Sequence, residues 1–456
     1  MKMDWKAALV AVGLMVGTSA VANAQDAGYY ETSQVSYANT LADDCGCTTA
    51  ADACGTCNTC NTGCCSSGIN WFGCCGHGDE FKLFGENSCG IEIGGWVSAG
   101  YYGNARGVRT NSGNGPVGFR EISNAATLNQ AWIYAEKAAD AETYCFDLGF
   151  RIDAMFGADG PDTQAFGHGD RHTWDNGWDS STDGDQDLYG SAIPQLYLEA
   201  AWGDWNVKAG HFYTLIGYEV VQAPDNFFYS HAYTMYYGEP FTHWGALAEY
   251  GGFDGVSLYG GWVSGWDTAF DQYEAQSMFL GGYSMDLSDN LSLSHMATAG
   301  SFGKQGGDLY MQSVVLDANL GAGWNYVFQT DLGYNKNTEF LTTADADKTT
   351  AYWYGVNQYL FKEINECWSI GARAEWFCDE DGVRVLSETG AGNVGVPGNF
   401  YSLTLGANWR PSANLTVRPE VRWDKFDDRE ASGATPFADG TRDNAFFSGV
   451  DVIYTF

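Results

Sequence analysis

From residue 90 to the C-terminus, hydrophobic and polar residues alternate with a period of two that is interrupted by turns. In segment 414–425, for example, Leu415, Val417, Val421 and Trp423 alternate with charged residues, and segments with the same pattern occur at 145–157 and 367–377. A period of two places successive side chains on opposite faces of a β-strand. One apolar face and one charged face are typical of a strand that separates lipid from water.

About 16 such segments follow one another, and each is near the 9–11 residues with which a tilted strand crosses a bilayer. Pro419 interrupts one of them, because proline cannot donate a hydrogen bond to a neighbouring strand. The predicted strands begin near Ile91, Leu128, Tyr144, Ile193, Trp205, Thr242, Gly255, Gln276, Leu291, Met311, Gly323, Ala351, Cys367, Phe400, Asn414 and Asn444.

The connections between these segments alternate between short and long. Short turns lie at 203–204, 251–254, 288–290, 321–322 and 411–413, and long polar loops lie at 103–122, 159–192, 335–349, 379–399 and 427–443. Outer-membrane barrels have short periplasmic turns and long external loops. The sequence therefore predicts an all-β fold: a transmembrane antiparallel barrel over 90–456, with both ends of the barrel in the periplasm.

Composition and charge agree with this fold. Aromatic residues make up 15% of the chain, with 59 glycines and only 9 prolines. Barrels need aromatic residues for the two girdles at the membrane surfaces. The net charge of −35 excludes nucleic acid as a partner, since such proteins carry basic patches. The predicted partners are outer-membrane lipid, small hydrophilic solutes and ions.

The N-terminus predicts export to the cell envelope. Lys2 and Lys6 form a basic start, residues 7–21 are almost entirely apolar, and Ala22 and Ala24 supply small residues before a cleavage site. This arrangement is that of a signal peptide spanning 1–24. Together with the predicted barrel, export places the mature chain in the outer membrane.

Residues 25–89 form a Cys-rich segment that holds ten of the 13 cysteines, and we interpret it as periplasmic. After export, clustered cysteines favour disulfides. One spacing also matches an iron–sulfur run, with zinc or copper as a further alternative. No cofactor is predicted, although metal at these cysteines, and calcium at the acidic segment 183–187, stay open. The four cysteines with this spacing are Cys54, Cys57, Cys60 and Cys64.

The third long connection, 215–241, differs from the others because it is rich in aromatic residues. A segment of this kind would not be left in water, so we expect it to fold into the lumen. It would place Glu219, Asp225 and Glu239 near the pore centre, together with the aromatic residues Tyr218, Phe227, Phe228 and Tyr229.

The same region carries a family resemblance. The runs Gly-Tyr-Glu at 217–219, Ala-Pro-Asp-Asn-Phe-Phe-Tyr-Ser at 223–230 and Gly-Glu-Pro-Phe-Thr-His at 238–243 resemble the OmpL-like family of outer-membrane β-barrel porins. The resemblance covers 90–456 and implies an outer-membrane channel. In known 16-stranded porins the third loop forms the pore constriction, and many porins of this size are homotrimers, which by analogy is expected here. The aromatic last strand, which ends at Phe456, resembles the C-terminal signature of outer-membrane proteins.

Four arginines fall on predicted inward faces: Arg151, Arg373, Arg418 and Arg422. Opposed to the acids of the third loop, they would create a transverse field across the pore and influence ion preference. Alternatively, they pair with acidic neighbours on the strands, such as Glu375 and Glu420. His231 and His243, in or beside the loop, are expected to form structural hydrogen bonds.

Passive diffusion of ions and small hydrophilic solutes through a water-filled barrel is the function that these features favour. A sugar-selective channel, with loop aromatics as a stacking track, and a structural or adhesive barrel cross-linked by the Cys-rich segment stay open. The chain shows no Ser–His–Asp order and no His-Glu-x-x-His motif, so an enzyme is not predicted.

Overall fold

The computed structural model describes residues 80–84, 90–106, 113–165, 174–175, 188–269, 276–301, 307–336, 349–387, 394–429, 435–438 and 440–456. The predicted signal peptide, the ten N-terminal cysteines and the acidic segment 183–187 lie outside these residues. The predictions made for them therefore stay predictions.

Sixteen strands of the described chain form the barrel wall. They are β1 Glu92–Asn104, β2 Ala125–Lys137, β3 Asp147–Gly157, β4 Gly190–Trp202, β5 Trp205–Tyr213, β6 Thr242–Phe253, β7 Val256–Val263, β8 Ser277–Ser288, β9 Leu291–Ser301, β10 Asp308–Gly321, β11 Trp324–Lys336, β12 Thr350–Asn365, β13 Trp368–Asp379, β14 Gly398–Ser412, β15 Leu415–Asp428 and β16 Asn444–Thr455. A two-stranded ribbon joins Leu386–Ser387 to Val394–Gly395, and short helical turns lie at Gly160–Thr163, Ala223–Asp225 and Thr234–Gly238.

Each strand pairs antiparallel with its neighbours in sequence, and β1 also pairs with β16, which closes the barrel. The strand count and the antiparallel fold predicted from the alternation are confirmed. Each predicted strand start lies within three residues of the observed one. Pro419 is accommodated on the outer face of β15, opposite Val450.

The outer face of the barrel is apolar, and Leu198 has 70% of its surface exposed. Aromatic side chains group near both ends. Tyr310, Tyr334 and Tyr352 form a row near the long loops. Trp205 and Tyr250 meet beside the short turns. These groups correspond to the two interfacial girdles of a membrane barrel.

No helix in the described residues is both long enough and apolar enough to cross a membrane.

The short turns and the C-terminus lie at the same end of the barrel, which by the usual orientation is periplasmic. There the backbone of Phe456 exchanges hydrogen bonds of 2.9 and 3.0 Å with that of Gly95, so the last residue seals β16 to β1. Cys367, in the turn after β12, is disulfide-bonded. Of the described cysteines, Cys145 and Cys378 are free.

The external half of the lumen contains a packed apolar cluster. Inward-facing side chains of β6 to β10, including Leu247, Leu280 and Met311, are buried there. Leu215 and Ile216 belong to the same cluster and come from the connection between β5 and β6. This connection therefore lies inside the barrel rather than above it.

Candidate functional site: loop L3 in the barrel lumen

The connection between β5 and β6, residues 214–241, is named loop L3. Its two ends are joined by a hydrogen bond of 2.9 Å from the amide of Thr214 to the carbonyl of Phe241. Apart from two short helical turns, L3 has no regular secondary structure. Buried backbone N–H and C=O groups need partners, so the barrel wall has to supply them.

Arg373 on β13 supplies one anchor. Its guanidinium donates to the carboxylate of Glu219 at 2.6 Å, and to the carbonyl and hydroxyl oxygens of Ser230 at 2.7 and 3.1 Å. A further bond of 3.2 Å runs to Thr404 on β14. Arg373 is 0% exposed, so this charge is neutralised within the protein by an acid of L3.

Arg418 on β15 supplies a second anchor. A carboxylate on β16, that of Asp451, accepts two hydrogen bonds from it, at 2.9 and 2.7 Å. The remaining Nη1 atom donates to the carbonyls of Ala223 and Asn226 at 2.8 and 2.6 Å. The strand acid orients the guanidinium, and the guanidinium holds the loop backbone.

Arg422, two inward positions further along β15, repeats this arrangement. It is held by Asp424 at 2.8 Å and donates to the carbonyl of His231 at 2.7 Å. Its guanidinium also lies over the ring of Tyr233, 4.8 Å from the centroid, and the hydroxyl of Tyr233 donates to Asp424.

The arginines donate to backbone carbonyls of L3, whereas two buried carboxylates of the wall accept hydrogen bonds from its backbone amides. Glu375 accepts hydrogen bonds from the amides of residues 233–234, at 3.0 and 2.7 Å. Glu420 accepts those of residues 229–230, at 2.9 and 3.1 Å. In the alternative left open by the sequence, these two acids pair with the neighbouring arginines. In the structure they bind L3 instead, because the loop presents unpaired amides to the wall.

The predicted aromatic residues of L3 pack against the wall. Phe227 and Phe228 contact Phe361 on β12, with ring centroids 4.8 and 6.1 Å away. Tyr218 stacks obliquely on Tyr359 at 4.8 Å. Tyr229 is buried under the guanidinium of Arg120 at 4.4 Å. Phe227, Phe228 and Tyr229 thus face the wall and not open lumen.

The three acids of L3 have different surroundings. Burial opposes the ionisation of Glu219, but the charge of Arg373 outweighs it, so the pKa of Glu219 lies below its usual value. Asp225 is exposed. Glu239 is buried, and its burial together with the neighbouring Asp331 raises its pKa well above the usual value.

Arg151 lies apart from L3, on β3 towards the periplasmic end. It pairs with Glu136 at 2.6 Å and Asp153 at 2.8 Å, and stacks on Tyr134 at 4.8 Å. Together with Tyr197 these side chains form a lumen wall that is mostly half-buried. Of the four arginines on predicted inward faces, only Arg373 contacts an acid of L3 directly.

The two histidines form hydrogen bonds. His243 contacts the carbonyl of Gly265 at 2.9 Å and the hydroxyl of Thr214 at 3.0 Å. His231 contacts the carbonyl of Val220 at 3.0 Å. Burial lowers the pKa of His231 to about 3, so its ring is neutral in a neutral medium. Within the described residues, no group of three or more His, Cys, Asp or Glu side chains is arranged to hold a metal.

Acids outnumber bases among the buried charges. Over the described residues, four arginines and twelve acids are buried. The arginines are Arg120, Arg373, Arg418 and Arg422, and the acids are Asp153, Asp159, Asp175, Glu219, Glu239, Asp331, Glu375, Asp379, Asp381, Glu420, Asp424 and Asp451. Even if Glu239 is protonated, buried acids therefore outnumber buried arginines in the described part of the chain.

The Glu219–Arg373 contact predicts a pH effect. The pKa of Glu219 lies below its usual value of 4.5, so the pair stabilises docked L3 above that pH and the stabilisation is lost as the pH falls below it. We expect channel conductance to rise on acidification through this range. Glu219→Gln, neutral at every pH, should conduct at the acid level throughout. Parallel pH curves for the two proteins would contradict this.

A closed 16-stranded antiparallel barrel with a loop folded into its lumen is the architecture of an outer-membrane porin. The family model described as "Putative beta-barrel porin-2, OmpL-like" matches residues 90–456. The chain belongs to this family and is an outer-membrane porin, a channel for passive diffusion.

Two solved structures have a similar fold. The anion-selective porin from Comamonas acidovorans is 10% identical, with a TM-score of 0.50 over 80% of this chain and 99% of that chain. The outer membrane channel DcaP of Acinetobacter baumannii is 13% identical, with a TM-score of 0.51 over 82% of this chain and 99% of that chain. At these identities the likeness concerns the fold alone. Comparison with curated proteins finds no match.

Proposed function

We propose that this porin conducts ions and small hydrophilic solutes with a preference for cations, and that L3 limits the flux. The observation that carries the proposal is the ratio of twelve buried acids to four buried arginines in the described part of the chain. Fixed charge along a narrow path sets ion preference. Each of the four arginines is paired with an acid, which leaves the excess charge negative.

L3 supports the second half of the proposal. At the level of L3 in the barrel, inward-facing side chains are buried on strands from opposite sides of the wall. Examples are Leu280 on β8, Met311 on β10, Asn357 on β12 and Arg422 on β15. Below it, the lumen wall around Arg151 is half-buried. The passage is therefore narrowest where L3 crosses it.

The test is the reversal potential of the purified porin in a planar bilayer with a salt gradient. A potential with the sign of cation preference is expected. Asp225→Asn, which neutralises an exposed acid of L3, should shift it towards zero. Asp254→Asn, the same change in the exposed turn after β6, is the matched control and should leave it unchanged. A potential of the opposite sign would refute the cation preference.

The observed contacts weigh against the alternative of a sugar-selective channel. Phe227, Phe228 and Tyr229 are buried against the wall or under a guanidinium. A stacking track needs ring faces that a sugar can reach. The structural or adhesive alternative depends on the cysteines of the Cys-rich segment, which lie outside the described residues. No enzymatic activity is part of the proposal, and the homotrimer stays a prediction by analogy.

A further inference from the structure

Glu239 of L3 and Asp331 of β11 form a buried pair of acids. Their carboxyl groups are within hydrogen-bonding contact, and the residues are 2% and 3% exposed. Among the described residues, no lysine, arginine or histidine forms an ion pair with either one. The pair therefore differs from Glu219, which has an arginine, and from Glu375 and Glu420, which accept backbone amides.

Neutral polar groups surround the two acids. The hydroxyl of Ser313 on β10 donates to Asp331 Oδ1 at 2.6 Å. The side-chain amide of Gln329 on β11 contacts both acids, Asp331 Oδ1 at 3.0 Å and Glu239 Oε1. The second oxygen of Asp331, Oδ2, is buried and receives no hydrogen bond from a described residue. This oxygen is thus a buried acceptor that no donor of the described residues reaches.

L3 closes over this pair. Gly217 has a φ of +94°, and a Cβ atom at that position would lie 1.9 Å from Glu239 Oε2, so only glycine lets the two legs of the loop meet around the carboxylate. Gly238, the residue before Glu239, is held by the indole N–H of Trp353, which donates to its carbonyl at 3.0 Å.

We propose that Glu239 and Asp331 bind a small hard cation, of which Ca²⁺ is the test case, with Ser313 Oγ and the side chain of Gln329 completing the site. Burying two carboxylates without a counter-charge is strongly unfavourable. Carboxylate, hydroxyl and amide oxygens are the donors that Ca²⁺ takes. A half-turn of the Gln329 amide presents its oxygen to the ion. The cation fastens the C-terminal part of L3 to β11, two strands away from Arg373 on β13.

Binding can be measured on the purified full-length porin in detergent, without any current, so the result does not depend on the proposed conduction. The probe is Tb³⁺, whose emission is sensitised by a nearby indole such as that of Trp353, followed by displacement with Ca²⁺. Asp331→Asn removes a ligand. Asp317→Asn, on the inward face of β10 and outside the pair, is the matched control. Heat-modifiable gel mobility shows that each variant is folded.

Saturable emission that Ca²⁺ displaces, present in the wild type and in Asp317→Asn and lost in Asp331→Asn, is the expected result. If Asp331→Asn does not fold, Glu239→Gln takes its place with the same expectation. Equal emission from all folded proteins would show binding to surface acids and overturn the proposal. Absence of saturable binding, with an infrared carboxylic-acid band that disappears in Glu239→Gln, would show that the pair shares a proton instead, which also overturns it.

Discussion

Replacement of Arg373 by Met is expected to release L3 and to increase the single-channel conductance. The substitution removes the bonds to Ser230 and leaves the carboxylate of Glu219 buried without its partner. Breaking one side of a buried ion pair costs about 3–5 kcal/mol. L3 is held in the lumen by side-chain contacts, so a loss of stability of this size is expected to displace it. Conductance and current noise in planar bilayers, with heat-modifiable mobility to confirm folding, measure the effect.

Arg151→Met is the matched control, because Arg151 faces the lumen from β3 but contacts only strand residues. It should change conductance little. The double variant Arg373→Met/Glu219→Gln no longer buries an unpaired charge, so its conductance should return part of the way to the wild-type level. If Arg373→Met conducts like the wild type, the arginine does not anchor L3 in a way that limits flux.

A disulfide that fixes L3 to the wall is expected to hold the channel in its lowest-conductance state. A Cβ atom at Gly355 on β12 would lie 3.2 Å from the Cβ of Thr234 in L3. This separation is close to the about 3.5–4.5 Å that disulfides span. In Gly355→Cys/Thr234→Cys, oxidation should remove the current fluctuations that loop movement produces, and reductant should restore them.

Reductant also acts on native disulfides, such as that of Cys367. Thr234→Cys alone and the wild type, each measured under oxidising and reducing conditions, therefore serve as controls and should respond alike. Equal currents from the oxidised and reduced double variant would show that conduction does not require L3 to move.

The alternation of side chains was sufficient to predict the wall. In β13 and β15 it identified which face is apolar, and Arg373, Arg418 and Arg422 are buried on the other face. Strands that follow one another in the chain pair with each other, and side chains alternate uniformly along each strand. The sequence of each segment is therefore enough to predict which of its residues face the lumen. The aromatic content of L3 similarly predicted that the loop lies inside the barrel.

The partners of the buried charges could not be predicted in the same way. Glu375 accepts the amide of Tyr233, 142 residues away in the chain, and Glu420 accepts that of Tyr229, 191 residues away. A period of two assigns a side chain to a face but does not identify what crosses the lumen to meet it. Gln329 and Asp331 were missed for this reason. Their only local signal is an inward position in a polar strand.

The most direct test of conduction through this barrel is single-channel recording of the purified, refolded porin in a planar bilayer. Stable conductance steps are predicted, with a reversal potential in a salt gradient that shows cation preference. The absence of steps from a protein whose heat-modifiable mobility proves that the barrel is folded would contradict the account, because L3 would then be a permanent plug rather than a constriction.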